Sequence, residues 1–112
     1  YRDAVRAIVN DLRLAHQRAV SSGLPVTFRF DFASRSYGIE GQNQKILPSV
    51  LEIKTTVGQA DDSLPNQKAD FVFLPEGGSS GGTIILMRKS GAGVRIRVDW
   101  LLGQITQEPL SS

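Results

Sequence analysis

Apolar side chains open the chain at helical steps. In YRDAVRAIVNDLRLAHQRAVSS, Tyr1, Val5, Ile8, Leu12, Ala15 and Ala19 recur every three or four residues, and Ala4, Val9 and Val20 widen the stripe. Arg2, Arg6, Arg13, Gln17 and Arg18 fall mostly on the other side. The pattern predicts an amphipathic helix over residues 1–22, closed by a left-handed cap at Gly23 and by Pro25, which cannot continue a helix. No capping side chain precedes Tyr1, so the segment reads as the later part of a longer helix.

After Pro25 the period shortens to two. VTFRFDF sets Val26, Phe28, Phe30 and Phe32 against Thr27, Arg29 and Asp31, and ASRS turns the chain into YGIEG as a hairpin partner. VLEIKTTV, beginning after Pro48, is a third strand, and GQADDSLPNQK is a polar loop. DFVFL and TIILMR flank a glycine-rich connection. VRIRVDW opposes Val94, Ile96, Val98 and Trp100 to Arg95, Arg97 and Asp99; GQIT adds a short last strand, and EPLSS is expected to fray. The fold class expected is α+β, an N-terminal helix packed on six or seven strands of mainly antiparallel sheet. One domain spans 1–112, with the helix over 1–22 and the β-rich part over 25–108.

Composition narrows the function classes. A chain of 112 residues with 40% hydrophobic and 21% charged residues suits one globular domain and excludes collagen-like and disordered readings. The absence of cysteine removes disulfides, thiol chemistry, iron–sulfur clusters and cysteine-ligated zinc. No stretch approaches the roughly 20 apolar residues of a membrane-spanning helix. A net charge of +2 with a pI near 9.3 is only a weak pointer to nucleic acid.

Specific chemistry finds little support. Gly77 and Gly82 have the spacing of a phosphate-binding loop, but Thr83 stands where the lysine belongs and strand pattern follows where a helix should begin. A flexible turn whose glycines permit positive φ accounts for the stretch. His16, the only histidine, has Asp11, Ser21 and Ser22 near in sequence, yet residues five and six apart on a helix do not face one another. It is expected to be a packed or surface residue. Asp61 and Asp62 lack the ligand spacing of a calcium loop. No catalytic, cofactor-binding or metal site is expected. For nucleic acid, Arg29, Arg88, Lys89, Arg95 and Arg97 could share a sheet face, but Asp31 and Asp99 interleave with them. The aromatics Phe28, Phe30, Phe32 and Trp100 are expected on the inward side, where they cannot stack on bases.

Taken together and in this order, DLRLAHQRAVSSGLPVTFRF, FLPEGGSSGGTIIL and VRIRVDWLLGQI resemble the helix-to-strand region, the glycine-loop segment and the closing strand of the GspH/FimT-like pseudopilin family. The likeness is greatest to its H-type minor pseudopilins of type II secretion. That resemblance implies a pilin-like head without enzyme activity or cofactor, a structural subunit of the secretion pseudopilus that helps export folded proteins across the outer membrane. It also implies a leader cut by a prepilin peptidase, methylation, a single inner-membrane anchor and a periplasmic head. Residues 1 to about 22 correspond to the second half of the family's long helix. The implied partners are the major pseudopilin and other minor pseudopilins. Arg6 and Arg13 on the open side of the helix, with Gly77, Gly78, Gly81 and Gly82 in the loop, are the candidate contacts. The alternative is a minor pilin of a type IV pilus that binds DNA through Arg29, Arg95 and Arg97. Gln104 follows Gly103 where the family often has arginine, and GQITQEPLSS carries no basic residue, which favours secretion. Glu76 keeps the charge of the aspartate common in the H-type loop.

Overall fold

The computed structural model describes residues 2–57 and 68–110. The polar loop with Asp61 and Asp62 and the stripe position Tyr1 lie outside the described residues. Helix α1 (Arg2–Ser22) leads into β1 (Val26–Asp31), β2 (Ser36–Ile39), β3 (Lys45–Ile46), β4 (Leu51–Val57), β5 (Lys68–Phe73), β6 (Gly82–Arg88), β7 (Gly93–Val98) and β8 (Ile105–Pro109). These described strands form two four-stranded antiparallel sheets, ordered β3-β2-β1-β5 and β4-β6-β7-β8.

The helix buries Val5, Ile8, Val9, Leu12, Ala15 and Ala19, as its period requires, and lies chiefly against β1. Val20 is the exception: it is exposed, because it lies about 100° round the helix from fully buried Ala19. Gly23 adopts φ 73° and its N–H returns to the Ala19 carbonyl at 3.1 Å, so the left-handed cap ends the helix. Alternation places Phe28 and Phe30 of β1 under the helix, and antiparallel register brings Phe28 opposite Phe71 and Phe30 opposite Tyr37. The Phe28 and Phe30 rings meet edge to face at 5.4 Å, and Phe30 and Phe71 at 6.1 Å. Ile84, Leu86, Ile96 and Val98 from the second sheet complete the same core.

Three expectations change. The two-residue β3 escaped notice because two exposed residues carry no period. Residues Glu108 and Pro109 belong to β8 instead of a frayed tail, since Glu108 lies in register opposite Arg95 and holds it through its carboxylate. The glycine-rich stretch does not fold the chain back into one sheet. It carries the chain from β5 in the first sheet to β6 in the second. Arg35, at φ 52°, ties these layers from the other end by donating from Nη2 to the carbonyls of Pro48 and Leu51, both at 2.9 Å.

Candidate docking surface

The glycine connection is pinned, not flexible. Gly77 N–H donates to Leu74 O at 3.0 Å, Leu74 N–H to Gly78 O at 2.9 Å, and Ser80 N–H to Val72 O at 2.9 Å. Buried Ser79 donates its hydroxyl to Asp99 O at 2.8 Å and its N–H to Trp100 O at 2.9 Å, while its Oγ accepts from Gly81 N–H at 3.0 Å. The N–H groups of Gly77, Ser79, Ser80 and Gly81 are therefore occupied within the protein, and Gly82 opens a strand where a phosphate loop needs a helix.

This scaffold clamps the turn after β7. Asp99 Oδ2 accepts from Leu102 N–H at 2.6 Å, and Gly103 N–H donates to Asp99 O at 3.0 Å. Close approach needs glycine on both sides. A Cβ on Gly78 would stand 2.8 Å from Trp100 O, and one on Gly103 would stand 2.5 Å from Gly77 O and 2.6 Å from His16 Cδ2. Gly103 also sits at φ 67°. His16 closes the joint from the helix, its Nε2 donating to Gly77 O at 2.9 Å and its ring meeting Phe73 edge to face at 5.9 Å. A carbonyl only accepts, so the hydrogen sits on Nε2.

What the clamp presents is apolar. Trp100, Leu101 and Leu102 are 67%, 61% and 56% exposed. Trp100 does not continue the inward set of Val94, Ile96 and Val98: β7 ends at Val98, and Asp99 begins the turn. The expectation that Trp100 faces inward is corrected by this break. Leu101 and Leu102 drew no attention in the sequence, although an Asp and a Gly bracketing three apolar residues signal a turn that displays them.

The other candidate residues are placed as follows. Arg6 is exposed and borders, with Arg2, Val5 and Pro109, a groove of about 430 Å³ between α1 and β8. Arg13 donates from Nη2 to Ile105 O at 3.4 Å. Gly78 and Gly81 are buried beneath the Trp100 turn, and Gly77 and Gly82 are half-buried. The serine–histidine–aspartate grouping is not assembled: Ser21 Oγ donates to Arg18 O at 3.4 Å, and Asp11 accepts from Lys45 Nζ at 2.8 Å.

The arginines separate as well. Arg29 lies in the first sheet, where Nε and Nη2 grip Asp70 at 2.7 and 3.0 Å, with Glu40 at 3.5 Å. The hydrogen bond to Asp70 holds its guanidinium pKa above the ordinary value. Arg95 and Arg97 lie in the second sheet, sharing Glu108 Oε1 at 3.3 and 3.0 Å. Arg29 therefore does not share a face with them, contrary to the common face considered from sequence. Asp31 stands in register opposite Lys68 of β5, and its carboxylate caps the following turn by accepting from Ala33 and Ser34 N–H. Among the described residues no cluster of His, Asp and Glu could hold a metal ion, and no helix is long and apolar enough to cross a membrane.

The fold matches that of the minor pseudopilin EpsH from the type 2 secretion system of Vibrio cholerae with TM-score 0.73 and 16% identity, covering 96% of this chain and 95% of that one. A crystal structure of the same minor pseudopilin gives TM-score 0.69 and 17% identity over 96% of this chain and 92% of that one. The family model described as type II transport protein GspH matches residues 4–102, and the chain belongs to that family. It is 33% identical over 109 residues to type II secretion system protein H of Xanthomonas campestris pv. campestris, across 97% of this chain. The chain spans 63% of the length of that relative. The resemblance read from the three sequence stretches is thereby borne out.

Proposed function

We propose that the chain is the head of an H-type minor pseudopilin, a structural subunit of a type II secretion pseudopilus that helps export folded proteins across the outer membrane. The observation that carries this reading is the family match over residues 4–102, supported by 33% identity along nearly the whole chain. The protein works by packing and not by catalysis. Val5, Ile8 and Leu12 fix the helix to the head, while Arg6, Leu14 and Gln17 on its open side are available to neighbouring subunits. In the full-length protein the helix extends into an inner-membrane anchor exposed by a prepilin peptidase, and the head stands in the periplasm. The major pseudopilin and other minor pseudopilins are its partners. Arg6, Arg13 and the half-buried Gly77 and Gly82 remain candidate contacts, while Gly78 and Gly81 lie beneath the Trp100 turn.

Deleting the full-length gene and scoring exoprotein secretion, twitching motility and natural transformation side by side tests the reading. Loss of secretion alone, restored by the intact gene, is the expected result. Loss of motility or transformation with secretion intact would transfer the protein to the type IV pilus branch, with Arg95 and Arg97 as the DNA contacts that share a sheet and Arg29 apart from them on the other.

A further inference from the structure

The Trp100–Leu102 turn is built in a way that folding alone does not explain. Leaving three large apolar side chains in water contributes nothing to the core, yet a buried serine, the Asp99 cap and close-packed Gly78 and Gly103 hold them in one geometry. Beside Trp100 runs a groove of about 570 Å³, bordered by Gly81, Thr83, Arg97, Gln104 and Thr106. That volume accepts a large apolar side chain together with part of its backbone. Its rim carries both Arg97 and Asp99, and the Asp99 carboxylate is engaged by Leu102 N–H within the turn. Arg95 and Arg97 share the single carboxylate of Glu108, and the Arg97 side chain remains 60% exposed beyond that bond. Lys54 stands in the same cross-strand row as Arg95, through Ile85. An aromatic anchor flanked by leucines, beside an arginine whose side chain stays largely exposed, is the composition of a protein-binding hot spot.

We propose that the Trp100–Leu102 turn and Arg97 form the docking site for an acidic, apolar segment of a neighbouring pseudopilin head, a reading that rests on the pseudopilin assignment above. The partner's apolar side chain fills the groove against the Trp100 ring, and its carboxylate takes the free edge of the Arg97 guanidinium. Nucleic acid fits less well. Stacking along a strand needs several outward aromatics, and Trp100 is the only exposed one among the described residues. Leu101 and Leu102 have no counterpart in a phosphate backbone, and Glu108 opposes one.

The test uses the full-length protein in its native host, with a benzophenone amino acid replacing Leu101 and, as a control, Ile46 on the opposite sheet. Light should join position 101 to another pseudopilin of the same system, identified by mass spectrometry, and position 46 should not give that adduct. Arg97→Gln and Trp100→Ala should each lower the yield about tenfold, the change expected for losing one hot-spot contact, with the unfolding temperature of the purified head moved by only a few degrees. Adducts that ignore both variants, adducts to nucleic acid alone, or no pseudopilin adduct from position 101 would overturn the proposal. If gene deletion still abolishes secretion in that case, the docking site is wrong and the pseudopilin reading stands. If deletion leaves secretion intact, the pseudopilin reading itself has failed.

Discussion

Two apolar clusters of similar composition meet opposite fates in this protein. Phe28, Phe30, Phe71 and Phe73 are fully buried between helix and sheet, while Trp100, Leu101 and Leu102 project into solvent from the end of β7. Hydrophobicity does not separate them. Each phenylalanine occupies a strand position whose side chain points under α1, and antiparallel register supplies an apolar neighbour opposite it. The tryptophan follows the last ladder residue of its strand, where Asp99 turns the backbone and the alternation stops applying. Burial in this head is decided by register, and the clamped turn is the place where register ends.

The sharpest way to break the contrast is to empty the core. Phe30→Ala should cost about 3–5 kcal/mol, the usual loss for a buried phenylalanine, measured as a fall in the urea midpoint with unchanged slope. A midpoint shift under a third of that would show that the aromatic cluster does not hold the helix.

Gly103→Ala attacks the clamp. Its Cβ would collide with Gly77 O and His16 at a positive φ, so a destabilisation of about 1–3 kcal/mol is expected. Thermal unfolding measures it, and an unshifted transition would mean the turn is held less firmly than its contacts imply.

Alkali should weaken the layer containing Tyr37. Burial raises the phenol pKa above its ordinary value, with Lys45 opposing and Asp11 adding to the rise. Lys45 is raised in the same direction by its hydrogen bond to Asp11. A folded state that holds these protons more tightly keeps their full contribution below about pH 10, and loses it as pH climbs through the folded values. Urea midpoints from pH 7 to 11 should therefore decline at the upper end, and less steeply for Tyr37→Phe. Identical alkaline slopes for the two proteins would remove Tyr37 from the account.

The smallest effect should come from Trp100→Ala, a change within about 0.5 kcal/mol for an exposed side chain. A loss as large as that of Phe30→Ala would show that the turn belongs to the core after all.

Much of this molecule was readable along the chain. The period of Val5, Ile8, Leu12, Ala15 and Ala19 fixed the helix and its buried face, Gly23 and Pro25 its end, and alternation located seven of the eight described strands. Local backbone geometry determines these features, because a side chain's direction repeats with its own element. The resemblance carried by three short stretches pointed to the family that the comparisons identify. The division of strands into two sheets was not legible, nor was the glycine stretch as the bridge between them, since strand pairing depends on partners far away in sequence. The docking turn was missed for the same reason. Alternation carried two residues too far made Trp100 look buried, while the contacts that hold it outward come from Ser79, Gly78 and His16, brought together from a distant loop and the helix. Sequence alone determined which faces are apolar. Only the tertiary structure decided which of those faces finds a partner within the chain, because closure against another element is a property of packing and not of period.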